Sequence, residues 1–182
     1  LGKDSNVMVW LAFKAFYGRV PFPLIHVDTE MKFDEMYEFR NKYEKKWGIK
    51  LIKGKCPPIK QIDPTLPPAA RSAARKTEGL KKIIEKYKFK GVIAGIRRDE
   101  EGTRAKERFF SPRDHKANWN IKNQPPELWD QYILNYPSNV HLRIHPLLSW
   151  TELDIWEYIK KEKIPIVDLY FSKNGYRYLS LI

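Results

Sequence analysis

The chain has 182 residues, 42% of them hydrophobic and 14% aromatic, enough for one real core and unlike a disordered or collagen-like composition. Its formal charge of +12 points to anionic partners (nucleic acid, acidic lipid or polyphosphate) or to a solvated lysine-rich surface, and charge alone does not separate these. A single cysteine, Cys56, excludes an intrachain disulfide framework and fits a reducing cytosol. No stretch approaches the roughly 20 apolar residues of a membrane span, and no signal peptide is visible, so a cytoplasmic location is expected.

In chain order, Asp4 or Ser5 can cap a helix running to about Phe16 and stopped by Gly18, apolar nearly all round and so expected to be largely buried. Pro23 to Val27 reads as a buried strand ending in Asp28-Thr29. A helix from about Phe33 to Trp47 is ended by Gly48, and Ile49 to Ile52 forms a second short strand. The proline-rich stretch Gly54 to Pro68 is a loop. Leu80, Ile83, Ile84 and Tyr87 mark the next helix, from about Ala69 to Tyr87.

Gly91 to Ile96 is a third buried strand, followed by the aperiodic, charged and aromatic segment Arg97 to Gln124. Val140 to Ile144 is a fourth strand. Ser149-Trp150-Thr151-Glu152 reads as a capping box, with Leu148 and Leu153 as its hydrophobic staple. Its helix ends near Lys163 before Pro165, with Ile166 to Tyr170 extended.

Strands alternating with helices predict an α/β fold, a Rossmann-like parallel sheet with helices on both faces, forming a single domain over residues 1–182. Such sheets bind ligands outside the carboxyl ends of their strands. Leu1 to Ser5, Asp28 to Lys32 and Arg97 onward are expected together on that rim. The chain opens on Leu1 rather than Met and stops at Ile182 without a closing signal, so it reads as trimmed at both ends.

Gly2, Lys3, Asp4 and Ser5 lead into the first helix. Their backbone N–H groups and the helix dipole suit an anion, Gly2 allows close approach, and Lys3 and Ser5 add a charge and a hydroxyl. An ordinary helix start explains the same four residues, and the Walker pattern is not satisfied. Asp28 suits a ribose hydroxyl or magnesium, or a helix cap. Arg97 and Arg98, with Arg104, Lys106 and Arg108 after them, offer forked or mobile cations for phosphate and sulfate oxygens. The interleaved Asp99, Glu100 and Glu101 offer internal salt bridges instead. His141 and His145, four apart on a strand, lie roughly 13 Å from each other, and Cys56 has no ligand partner at zinc spacing. No metal site made of protein ligands alone is assigned.

Taken in this order the pieces resemble a known family. Leu1-Gly2-Lys3-Asp4-Ser5 is similar to the end of the PP-loop that binds pyrophosphate in N-type ATP pyrophosphatases and their relatives, with its first serine and strand lying before Leu1. His26-Val27-Asp28-Thr29, Lys32-Phe33, Glu35 to Arg40, and Lys76 to Lys81 resemble the small subunit of the bacterial two-subunit sulfate adenylyltransferase. So do Arg97 to Glu101 with Arg104 to Arg108, Asn123-Gln124 with Pro126 to Trp129, and Trp150 to Glu152 with Asp154 to Trp156. Glu30-Met31 stands where Gly-Trp is the family pattern, and Gly102-Thr103 replaces a Lys-Ser pair.

The resemblance implies an adenine nucleotide alpha hydrolase-like fold and transfer of AMP from ATP to sulfate, giving adenosine 5′-phosphosulfate and pyrophosphate. It implies a PP-loop on the β- and γ-phosphates, magnesium carried with ATP, and a GTPase large subunit as partner. Arg97, Arg98 and Arg104 are the candidates to meet sulfate, and Lys106 and Arg108 are further anion candidates. Two other readings stay open. One is an adenylyl-sulfate or phosphoadenylyl-sulfate reductase of the same fold, although Cys56 lies in the wrong place for its cysteine. The other is a PP-loop enzyme acting on tRNA or a nucleic-acid module, for which basic-aromatic interleaving is confined to Lys106 to Trp119 and no RNA-binding signature is present. A non-catalytic scaffold subunit is a third.

Overall fold

The computed structural model describes residues 2–114 and 117–171; Leu1 of the PP-loop match and the closing Leu181-Ile182 lie outside the described residues. The chain divides into two compact units. Unit one holds residues 1–3, 12–86 and 165–182, and unit two holds residues 4–11 and 87–164. The first helix, α1 (Lys3–Ala15), runs through both.

In unit one, β1 (Leu24–Asp28) pairs in parallel with β2 (Leu51–Lys55), in a register that sets Leu24 against Leu51 and Asp28 against Lys55. Helix α2 (Asp34–Lys46) makes the crossover between them. It ends because Gly48 takes a left-handed φ of 59°, which lets Trp47 and Ile49 close the last turn on Tyr43 and Glu44.

Helix α3 (Pro68–Tyr87) lies on this strand pair. A Cβ on Gly79 would stand 2.8 Å from Val27 Cγ1 and 3.4 Å from Cys56 Cα, so the absence of a side chain there sets how closely helix and strands approach. A Cβ on Gly54 would run into Ile83 in the same layer. Ile83, Ile84, Ile62, Cys56 and Val167 supply buried apolar surface to this unit.

In unit two, β5 (His141–Ile144) is the central strand. It pairs in parallel with β3 (Gly91–Ile93) and antiparallel with β4 (Phe110–Arg113). The α/β class with parallel pairing agrees with the sequence reading, with one addition. The antiparallel β4 falls in the segment without visible period, because its buried residues are Ser111 and Arg113 rather than aliphatics.

Helix α4 (Glu152–Glu162) is capped by Thr151, two residues later than expected. Thr151 Oγ1 accepts from Asp154 N (3.2 Å) and Asp154 Oδ2 accepts from Thr151 N (2.7 Å). The expected staple does not form, since Leu148 is fully buried while Leu153 is 65% exposed. Glu152 is thereby released from capping and used elsewhere. Leu147, Leu148, Ile155, Ile159 and Ile164, with Val7 and Val9 of α1, form the apolar core of this unit. The expected extension after Pro165 is instead broken by a 3₁₀ turn, Asp168–Tyr170. Among the described residues no helix is long and apolar enough to cross a membrane.

Candidate nucleotide site

Helix α1 begins at Lys3 with Gly2 as its N-cap, and Gly2 donates no side-chain cap. The expectation that Asp4 or Ser5 caps this helix is therefore corrected. Both lie inside the first turn, which leaves the side chain of Asp4 to be used in tertiary pairing. The first-turn N–H groups of an α-helix lack intrahelical partners. In unit one, that of Lys3 donates to the Tyr170 hydroxyl (3.2 Å), and a Cβ on Gly2 would lie 3.4 Å from the same oxygen. Tyr170 was not singled out from the sequence, because nothing local marks a residue 167 positions away as a partner of the loop.

In unit two, Arg97 is 2% exposed. Its Nη1 meets Asp4 Oδ1, its Nε donates to Asp99 Oδ1 (2.8 Å), and its Nη2 donates to Glu152 Oε2 (2.7 Å). Asp99 Oδ2 in turn accepts the Glu152 backbone N–H (2.6 Å). One guanidinium thus joins the first turn of α1, the segment after β3 and the start of α4. Gly95 allows the approach: a Cβ there would sit 3.4 Å from Asp4 Cβ.

The neighbouring Arg98 turns elsewhere, as adjacent residues leaving a strand tend to. Its Nη2 donates to the Glu107 carbonyl (3.3 Å) and its guanidinium lies 5.5 Å from the Phe109 ring. Arg104 donates from Nε to Glu101 (2.7 Å) and from Nη1 to Glu100. Lys106 is exposed, and Arg108 donates from Nε to the Pro125 carbonyl (3.3 Å). Of Arg97, Arg98 and Arg104, Arg98 alone keeps its guanidinium clear of carboxylates among the described residues. The buried pair Arg113–Glu107 (2.9 Å), joined by Ser111, ties β4 to the segment that carries Arg104 and Arg108.

Back in unit one, Asp28 ends β1. It accepts from Glu30 N (2.9 Å), the Tyr37 hydroxyl (2.8 Å) and Arg40 Nη1 (3.4 Å). Burial works against its ionisation, but the hydrogen bonds from Glu30 and Tyr37, with the Lys32 charge nearby, hold its carboxyl below the usual aspartate value. His26 is buried, with Nδ1 3.2 Å from Arg40 Nη1 and Nε2 2.8 Å from Lys32 Nζ. Burial, followed by the Lys32 charge, lowers its pKa to about 3, so it stays neutral at physiological pH. Cys56 is also buried, and that burial pushes its thiol pKa up, away from a reactive thiolate.

The α/β frame with a Gly-Lys-Asp-Ser helix start is that of a PP-loop-type nucleotide-binding domain. The chain belongs to the phosphoadenosine phosphosulfate reductase domain family, whose model matches residues 1–180. It is 51% identical over 178 residues to the sulfate adenylyltransferase subunit 2 of Sulfurimonas denitrificans, covering 96% of this chain and 59% of that protein. It is 50% identical to the same subunit of Proteus mirabilis, with the same coverage. The chain thus spans about three fifths of the length of these curated relatives.

Among solved structures it is similar to Candida glabrata FMN adenylyltransferase in complex with FMN and an ATP analogue. That match has a TM-score of 0.59 at 18% identity, covering 93% of this chain and 49% of that one. It is also similar to phosphoadenylyl-sulfate reductase from Candida auris, with a TM-score of 0.58 at 16% identity, covering 92% and 72%. At these identities the structural matches speak for the fold.

Proposed function

We propose that this chain is the nucleotide-binding part of a sulfate adenylyltransferase: a sulfate oxygen attacks the α-phosphorus of ATP, the bond to pyrophosphate breaks, and adenosine 5′-phosphosulfate forms. The observation that carries this reading is the identity of about one half to sulfate adenylyltransferase subunits along 96% of the chain. The buried clamp of Arg97 on Asp4 in the first turn of α1 supports it from the side of geometry.

Such a transfer needs positioning and charge neutralisation more than covalent help. In this reading Gly2, Lys3 and Ser5 bind the β- and γ-phosphates through backbone N–H groups, an ammonium and a hydroxyl. Asp4 is engaged by Arg97 and serves to fix the loop. Asp28, held in place by Tyr37 and Arg40, is suited to accept from a ribose hydroxyl. Arg97 acts as a positioning residue. Arg98 is the candidate for meeting charge that develops in the transition state, and Arg104, Lys106 and Arg108 are outer anion contacts. Magnesium, carried on the triphosphate, supplies further neutralisation of the leaving pyrophosphate. Asp4 and Asp28 are already paired with arginines, so the phosphate oxygens rather than these carboxylates suit the ion.

The whole of residues 1–182 acts as one nucleotide-binding domain in this proposal, in the cytoplasm, with a second subunit that is a GTPase. The relatives' designation as subunit 2 supports a partner. The reductase reading is disfavoured by Cys56, which is buried with its thiol pKa raised. The deciding experiment incubates the protein and its partner with MgATP, GTP and sulfate and measures adenosine 5′-phosphosulfate. Sulfite formation from an adenylyl-sulfate substrate, with no adenosine 5′-phosphosulfate made from ATP, would replace this proposal with the reductase.

A further inference from the structure

We propose that Arg113 is a positioning residue for Arg98. By holding the Glu107 carboxylate inside unit two, it keeps that acid off the Arg98 guanidinium and fixes the seat on which the guanidinium rests. This role rests on the transferase reading, in which Arg98 meets the charge that develops in the transition state.

The backbone of Arg98 is fixed, since its N–H donates to the Leu148 carbonyl (3.0 Å). Its guanidinium lies against residues 107–109. Nη2 donates to the Glu107 carbonyl (3.3 Å), and the Phe109 ring stands 5.5 Å away. A backbone carbonyl and an aromatic face orient a guanidinium without supplying a counter-charge. Arg97 and Arg104, by contrast, are each held by carboxylates.

The seat is pinned along its length. Glu127 accepts the N–H groups of Phe109 (2.9 Å) and Phe110 (2.8 Å), one on each carboxylate oxygen. His145, fully buried, donates its backbone N–H to the Phe109 carbonyl (2.9 Å), and its Nδ1 lies 2.8 Å from the Arg108 carbonyl. The buried Glu107 side chain accepts from Arg113 Nη2 with both oxygens (2.9 and 3.2 Å) and from the Ser111 hydroxyl (2.7 Å). Ser111 Oγ in turn accepts from Arg113 Nη1 (2.7 Å), and the Trp119 ring lies 5.0 Å from the Arg113 guanidinium. Arg113 is the last residue of β4, paired with His141 of β5, so the sheet itself carries this anchor.

Glu107 therefore has two opposed effects on Arg98. Its carbonyl holds the guanidinium, while its carboxylate, on the same residue, is placed to cancel the charge. A buried carboxylate deprived of its cation is strongly driven to find another. With Arg113 in place the acid is satisfied, and the Arg98 charge stays available to an anion.

The test uses the full chain with the partner subunit of the proposed reaction. Wild type, Arg113→Met, Arg113→Lys and Arg113→Met/Glu107→Gln are compared, with Arg98→Met and Arg98→Met/Arg113→Met. Formation of adenosine 5′-phosphosulfate is measured per folded protein, with melting temperature as the folding control. Arg113→Met should lower kcat about tenfold or more, with KM for MgATP within about twofold of wild type. Adding Glu107→Gln should restore most of that loss, because no acid remains to reach Arg98. In the Arg98→Met background, the Arg113 substitution should cost little more, because its effect passes through Arg98. Should Arg113→Met not fold, Arg113→Lys, which keeps the charge and loses the fork, shows the same pattern at smaller size. Wild-type kcat in folded Arg113 variants overturns the proposal, as does a loss that Glu107→Gln leaves in place or that is as large without Arg98. Absence of product from wild type falls on the transferase reading instead. Nitrogen-15 NMR of the guanidinium groups then decides the seat by itself. The Arg98 signals, assigned by their loss in Arg98→Met, should shift in the Arg113 variants, and unchanged signals overturn the proposal.

Discussion

The guanidinium of Arg97 meets the carboxylate of Asp4, 93 residues earlier, from a position that is 2% exposed. Asp99 and Glu152 complete its surroundings, so one cation orders three separate segments of unit two. A residue read from the sequence as a candidate for substrate anions is instead paired with three of the protein's own acids, and in the proposed function it acts by fixing the first turn of α1.

Replacing Arg97 by Ala takes the buried guanidinium away from Asp4, Asp99 and Glu152. Breaking a buried pair in this way is expected to cost about 3–5 kcal/mol of stability, read from urea unfolding. Arg97→Lys keeps a charge but cannot reach three carboxylates with forked geometry, so it should recover only part of that loss. A stable Arg97→Ala protein that has lost only turnover would move Arg97 back to direct contact with substrate.

The first turn of α1 should behave in the opposite way. Lys3→Ala with Ser5→Ala removes an ammonium and a hydroxyl that the loop reading assigns to phosphate. ATP affinity should fall about tenfold or more in calorimetry, while stability shifts by only about 0.5 kcal/mol. Equal losses of affinity and stability would make these two residues structural.

His26 sets a pH dependence. Its folded pKa is about 3, against 6.5 for the ordinary group, so the folded state holds the neutral form and protonation favours unfolding. The stabilisation is fully present above pH 6.5 and drains away as the pH falls toward 3. His141 and His145 are shifted in the same direction by burial and also lose their contribution as the pH falls below 6.5, whereas Asp28, a depressed carboxyl, loses its contribution only at lower pH. Urea midpoints of wild type and His26→Asn between pH 7.5 and pH 4.5 isolate one histidine. The variant should show a shallower decline, and parallel curves would show that His26 is not held neutral.

Gly79 is a packing test. A methyl group there would stand 2.8 Å from Val27 Cγ1, with the Cys56 backbone at 3.4 Å. Gly79→Ala gains helix propensity yet forces α3 away from the strands, and a net destabilisation of about 1–3 kcal/mol is expected. A more stable variant, by thermal or urea unfolding, would mean that the strand layer yields without cost.

Much of the frame was legible in the order of residues. Apolar runs bounded by Gly, Pro and Asp marked β1, β2, β3 and β5 to within a few residues, but the burial expected of β3 is not met, since Gly91 and Ile93 are exposed. Gly18 and Gly48, both at positive φ, were visible as helix ends from residue type alone. The PP-loop resemblance and the polar segments after the strands were also readable, since they consist of neighbours in sequence.

Tertiary structure alone decided the rest. β4 was hidden because its buried face is Ser111 and Arg113, satisfied by Glu107 rather than by apolar contact. The capping box moved to Thr151 because Leu148 is drawn fully into the core, and Glu152 turned to Arg97 instead of to its own helix end. A sequence states which residues can carry charge. Whether an arginine is paired with Asp4, like Arg97, or with a backbone carbonyl, like Arg75 with Pro57, depends on distances across tens of residues, which only the folded chain fixes.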